Sequence, residues 1–122
     1  MKLTVLMLVM LMSSALALQS PNATLSLRPS FAGAVLEGRI SSLRADELLG
    51  VWSGSGRARL LKCTPRCMVV SSIPVSGTVL MNADSAYRVA LGGSFKPGQK
   101  LILVLKFRDQ KILNVNATVA RQ

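Results

Sequence analysis

The chain has 122 residues, 15 Lys and Arg against 5 Asp and Glu, a formal net charge of +10, two Cys and no His. Without imidazole there is no Ser-His-Asp or Cys-His catalysis and no metal site with a histidine nitrogen. The length suits one domain.

The apolar fraction of 50% is concentrated at the front. Met1-Lys2 makes a short basic start, Leu3 to Met12 is almost unbroken apolar sequence, and Ser13-Ser14-Ala15-Leu16-Ala17 ends in an Ala-x-Ala pattern. This is the anatomy of a cleaved secretory signal over residues 1–17. The apolar run is well short of the roughly 20 residues that span a bilayer. No Cys sits near the cleavage position, so a lipid anchor is not expected there. Residues 18–122 then form the single exported domain.

Behind the signal, short strand-like runs recur every eight to twelve residues or so, separated by Gly, Pro, Asn, Asp and Ser, with no sustained 3.6-residue period. The pattern predicts an all-β chain with strands at Ala23–Leu27, Ala34–Ile40, Leu48–Val51, Ala58–Cys63, Cys67–Ser72, Gly77–Met81, Tyr87–Leu91, Lys100–Phe107 and Ile112–Val119. Ser41 to Glu47 reads as a polar connector, and Ser53 to Gly56 and Gly92 to Gly98 as loops. Alternation is clearest near the end, where Leu101, Leu103, Leu105 and Phe107 share one face and Lys100, Ile102, Val104 and Lys106 the other. Asp109-Gln110 suits a tight turn into the last strand. An antiparallel β-sandwich of about 100 residues accommodates this set.

The most informative local feature is Cys63-Thr64-Pro65-Arg66-Cys67-Met68. In one straight strand the two cysteines would lie about 13 Å apart, whereas a turn at Thr64-Pro65-Arg66 sets them opposite one another. In an exported chain this predicts a disulfide worth about 2 kcal/mol for so short a loop. The alternative is a reduced soft-metal site, with the Cys63 and Cys67 thiolates and the Met68 thioether as Cu(I) ligands.

Arg57, Arg59, Lys62 and Arg66 form one basic stretch, and Lys96, Lys100, Lys106, Arg108 and Lys111 another. They imply a solvated basic face suited to an anionic envelope surface. With one Trp, one Tyr and three Phe a stacking platform for nucleic acid is not available, and no nucleic-acid partner is expected. The carboxylates Glu37, Asp46, Glu47, Asp84 and Asp109 show no spacing that requires a catalytic pair or a hard-cation cage. No nucleophile-base pair is visible, so an enzyme is not expected.

From about Ala34 to Val119 the chain resembles the periplasmic copper chaperone PCu(A)C family. The resemblance rests on Gly33-Ala34-Val35-Leu36-Glu37-Gly38-Arg39-Ile40, Ala45-Asp46-Glu47-Leu48-Leu49-Gly50-Val51-Trp52-Ser53 and Arg57-Ala58-Arg59-Leu60-Leu61. It continues through Ile73-Pro74-Val75-Ser76-Gly77-Thr78-Val79, Phe95-Lys96-Pro97-Gly98 and Leu101 to Phe107. It implies a cupredoxin-like β-sandwich, exported to the periplasm or envelope of a bacterium, that holds Cu(I) with two His and two Met. The cargo would pass to a copper-accepting protein such as an oxidase subunit. The family's first His falls at about Leu61, its first Met near Cys67 or Met68, and its later His-x-Met element around Ser85-Ala86-Tyr87-Arg88-Val89. At most one of the four usual ligands survives. A copper role in this chain therefore implies replacement by Cys63, Cys67 and Met68, with Met81 as a further thioether, in a protein expected to be a monomer. The alternative is a metal-free binding or structural module on the same scaffold, using its basic face for anionic envelope partners.

Overall fold

In the computed structural model the described residues are 21–110 and 112–121; the expected signal segment, 1–17, lies outside them. Nine strands follow in chain order: β1 (Asn22–Ser30), β2 (Gly33–Ser53), β3 (Gly56–Arg57), β4 (Arg59–Cys63), β5 (Cys67–Val69), β6 (Ile73–Met81), β7 (Tyr87–Gly92), β8 (Lys100–Phe107) and β9 (Leu113–Val119). The all-β sandwich expected from the spacing of the apolar runs is the fold observed. Its pairings are antiparallel except for the short parallel contact of β1 with β9.

β2 organises the rest. It pairs with β1 from Gly33 to Ser41 and with β8 from Leu48 to Trp52. Residues of the same stretches also pair with β7 (Gly33 to Val35), β6 (Gly38 to Leu48) and β3 (Trp52 and Ser53). A strand has two hydrogen-bonding edges, so β1 and β8 occupy one edge in succession while β7, β6 and β3 occupy the other. Because β1 also meets β9, and β9 meets β8, the strands β1, β9, β8 and β2 close on themselves as a barrel. The remaining order, β2, β7, β4, β5, runs outward as an open sheet that ends at β5.

The expected polar connector from Ser41 to Glu47 is instead the interior of β2. The register against β6 shifts between Ser42 and Asp46, a bulge that bends the strand from one layer toward the other. Polar residues suit this bend because they satisfy the groups it releases. Ser42 Oγ donates to the Arg44 carbonyl at 2.7 Å, and the Gln110 amide donates to Ser42 Oγ at 2.6 Å and to Asp46 Oδ2 at 2.8 Å. Asp46 Oδ1 accepts the backbone N–H groups of Glu47 and Asp109 at 2.7 and 3.0 Å. Asp46 is only 6% exposed. Burial by itself pushes its carboxyl upward, but the hydrogen bonds from Glu47, Gln110, Asp109 and Arg108 outweigh it and hold the pKa below the usual aspartate value.

Other boundaries move for local reasons. The strand expected at Gly77–Met81 begins at Ile73, with Pro74 tolerated because among the described residues β6 pairs with β2 alone, on one edge. The strand expected to reach Ser72 ends at Val69, where β5 leaves the sheet edge. Gly38, where β2 lies between β1 and β6, has φ +132°, and a Cβ there would lie 2.0 Å from the Thr24 carbonyl oxygen. No other residue fits this crossing.

The core is aliphatic. Leu27, Leu36, Ile40, Leu48, Val51, Ile73, Val75, Val89, Leu103, Leu105 and Val119 are fully buried, each contributing about 1.5–3 kcal/mol relative to an exposed position. The alternation read for β8 holds: Leu103, Leu105 and Phe107 are buried, while Lys100, Ile102 and Lys106 are exposed.

The Asp46 network yields a prediction. A depressed native pKa stabilises the fold above the unfolded-state pKa of about 3.9 and is lost as pH falls through the lower native value. Asp46→Asn is expected to cost about 1–3 kcal/mol at pH 7 because its amide faces that of Gln110. In urea unfolding across pH, the gap to the unsubstituted chain should narrow below about pH 4. A gap independent of pH would contradict the charged network.

Candidate metal centre

Three segments converge at the outer end of the open sheet. β4 pairs with β5 through Leu61 opposite Val69, Lys62 opposite Met68 and Cys63 opposite Cys67. On its other edge β4 pairs with β7, placing Arg88 beside Leu61 and Tyr87 beside Lys62. The Cys63 N–H donates to the Ala86 carbonyl at 2.6 Å, which ties the hairpin to the start of β7. Leu61, Cys67, Met68 and the 85–89 segment, to which the family resemblance assigns the usual ligands, are thus gathered by strand register despite their separation in sequence.

The chemistry they offer differs from a two-His, two-Met set. Cys63 and Cys67 are joined in a disulfide with S–S 2.06 Å, across a turn containing a cis Thr64-Pro65 peptide bond. In this oxidised state neither sulfur is a thiolate. Met68 follows Cys67 in β5, so strand alternation turns its side chain to the opposite face of the hairpin, where it is 68% exposed. Met81 does not join them. It is 1% exposed, pairs with Gly38 on β6 and packs in the core, where its thioether serves as apolar filling. The four sulfurs proposed from sequence therefore divide into one adjacent pair, one exposed thioether on the other face and one core residue. Among the described residues no group of three or more His, Cys, Asp and Glu is placed to hold a metal ion.

The surroundings are cationic. Arg88 donates through Nε to the Ser85 carbonyl at 2.9 Å, and its Nη1 lies 3.9 Å from Cys67 Sγ. The Lys62 ammonium sits over the Tyr87 ring, 5.9 Å from its centroid, and Arg66 is in the turn itself. No carboxylate lies on β4, β5 or β7. Of the acidic side chains, Glu37 pairs with Arg28 at 3.3 Å, Glu47 with Arg108 at 2.8 Å, Asp46 belongs to the bulge of β2, Asp109 follows β8 with its N–H on Asp46, and Asp84 lies in the turn just before β7. A positive field disfavours a bare cation but favours thiolate over thiol. It also compensates the single negative charge of a bis-thiolate Cu(I) unit. Arg88 is the residue that local pattern reading misses. It stands 21 positions from Cys67, and only the β4–β7 and β4–β5 registers bring the two together.

Comparisons with known proteins support the architecture. The chain is similar to the solution structure of CuI-DR1885 from Deinococcus radiodurans, with a TM-score of 0.63 and 23% identity over 84% of this chain and 77% of that one. At that identity the likeness establishes the fold alone. No protein-family model matches the sequence, and no curated protein matches it.

The role of Arg88 can be measured in the reduced protein. Arg88→Gln is expected to slow alkylation of Cys67 by iodoacetamide at pH 7 about two- to fivefold, since less thiolate is present and the remaining thiolate is somewhat more nucleophilic. Cys63, which Arg88 does not contact, should change less. An unchanged Cys67 rate would remove the electrostatic role.

Proposed function

We propose that the chain is an exported bacterial copper chaperone-like protein whose cargo, Cu(I), is taken by Cys63 and Cys67 in their reduced form. The observation that carries this reading is the direct register of Cys63 with Cys67, on the strands to which the usual ligand positions of the resembling family map. The Cu(I) in the name of the similar solution structure adds support at the level of fold.

Uptake requires reduction first. A dithiol reductant delivers two electrons and two protons to the S–S bond, leaving two thiols and an oxidised reductant. Cu(I) then displaces both thiol protons and is held by two soft sulfur ligands, an arrangement this ion favours. Met68, exposed on the other face of the hairpin, is placed to meet an incoming sulfur-rich acceptor. Handover to a copper-accepting protein, such as an oxidase subunit in the periplasm, would proceed by ligand exchange at this exposed edge. The second reading, a metal-free sandwich that binds anionic envelope partners, is favoured by the disulfide and by the absence of acidic residues on β4, β5 and β7.

Anaerobic competition against a Cu(I) chelator distinguishes them. The reduced chain is expected to take one Cu(I), the oxidised chain none, and Cys63→Ser or Cys67→Ser to abolish uptake. Met68→Leu should weaken transfer to an acceptor more than uptake itself. No Cu(I) on the reduced chain would refute the chaperone reading. Undiminished uptake in both cysteine variants would refute this ligand pair while leaving copper binding intact.

A further inference from the structure

A second concavity lies on the same open sheet, independent of the sulfur pair. β7 presents Arg88, Ala90 and Gly92 in alternation on its outer face, while Val89 and Leu91 enter the core. The small residues at 90 and 92 leave a cleft of about 350 Å³ between the β1–β2 turn and the start of β4, lined by Ser30, Ala32, Ala90, Gly92, Arg57 and Arg59 among others. Two arginines thus line one small cleft whose lining contains no carboxylate.

Their states differ in a way that points to a ligand. Arg57 is held in place: Nη2 donates to the Leu49 carbonyl at 3.1 Å and the guanidinium lies over Trp52, 5.3 Å from the ring centroid. Buried Ala58 separates it from Arg59, so both project to the same side. Among the described residues the Arg59 guanidinium makes no hydrogen bond or ion pair. Two other clefts, of about 410 and 430 Å³, both contain Glu37, which already pairs with Arg28 in the second of them. The Arg57–Arg59 cleft alone of these three is positive without an internal counter-charge.

We infer that the cleft between the β1–β2 turn, β4 and β7 is a binding site for a phosphate-type oxyanion, held by Arg57 and Arg59. Two cations match a dianion, and guanidinium groups fit tetrahedral oxyanions through paired N–H donors. Ser30 supplies a hydroxyl at the rim, and Phe31, fully exposed in the adjacent turn, offers an apolar surface to the carbon portion of a phosphate ester.

The test is an NMR titration of the intact chain with inorganic phosphate at constant ionic strength. Saturable shifts are expected at the Arg57 and Arg59 side-chain N–H signals and at the Ala32 and Gly92 amides, with acetate binding more weakly. Arg59→Gln should weaken phosphate binding about tenfold or more. Arg44→Gln, which removes the same charge on the bulge of β2, should change it less than about twofold. Gly92→Val provides a steric variant, because a Cβ at Gly92 meets nothing within 4 Å and its φ is ordinary. It should block the cleft while the spectrum stays dispersed. Tighter binding of glycerol 3-phosphate than of inorganic phosphate assigns the site to an ester; the reverse order assigns it to the free ion. Linear, unsaturable shifts, equal losses in Arg59→Gln and Arg44→Gln, or undiminished binding in a folded Gly92→Val chain would each overturn the site.

Discussion

The backbone of β2 is the constraint from which the rest of the architecture follows. Twenty-one residues long, it pairs with five other strands, exchanging β1 for β8 on one edge and β7 for β6 and then β3 on the other. A strand can serve two layers only if it bends where its partners change, and a bend in the interior releases polar backbone groups. Ser42 and Asp46 bond the backbone of Arg44, Glu47 and Asp109, and Gln110 ties the two side chains together. No buried side-chain nitrogen or oxygen is left without a partner among the described residues.

The cysteine hairpin stands at the opposite extreme. β5 has three residues and ends the open sheet, so it contributes little to the core and is mostly exposed. Changes of side chain there leave the β2-centred scaffold intact, which is why fold and ligand chemistry can diverge. The covalent cross-link between Cys63 and Cys67 supplies local order that packing does not. An exposed edge is also where a ligand can be exchanged without opening the core.

Charge is distributed with the same division. The barrel side holds the ion pairs Arg28–Glu37 and Arg108–Glu47, exposed contacts worth at most about 1 kcal/mol each. The outer face of β4 and β7 carries Arg59 and Arg88, with Arg57 and Lys62 nearby, and no acid on either strand. The Arg88 guanidinium beside Cys67 and the Arg59 guanidinium, which has no counter-ion among the described residues, are neighbouring parts of one surface.

By itself the sequence determined the strand composition, the alternating faces of β8, the absence of imidazole chemistry and the turn that sets Cys63 opposite Cys67. These depend on spacing within a few residues, where the two-residue strand period and the reach of a tight turn act directly. Tertiary structure decided that Ser41 to Glu47 is strand rather than connector, because its polar groups find Gln110 and Asp109 more than 60 positions away. It also decided that Met81 belongs to the core, that Met68 leaves the face of the cysteines, and that Arg88 stands beside Cys67. Each of these outcomes depends on strand register between distant segments, and a shift of one residue would reverse every side chain it positions.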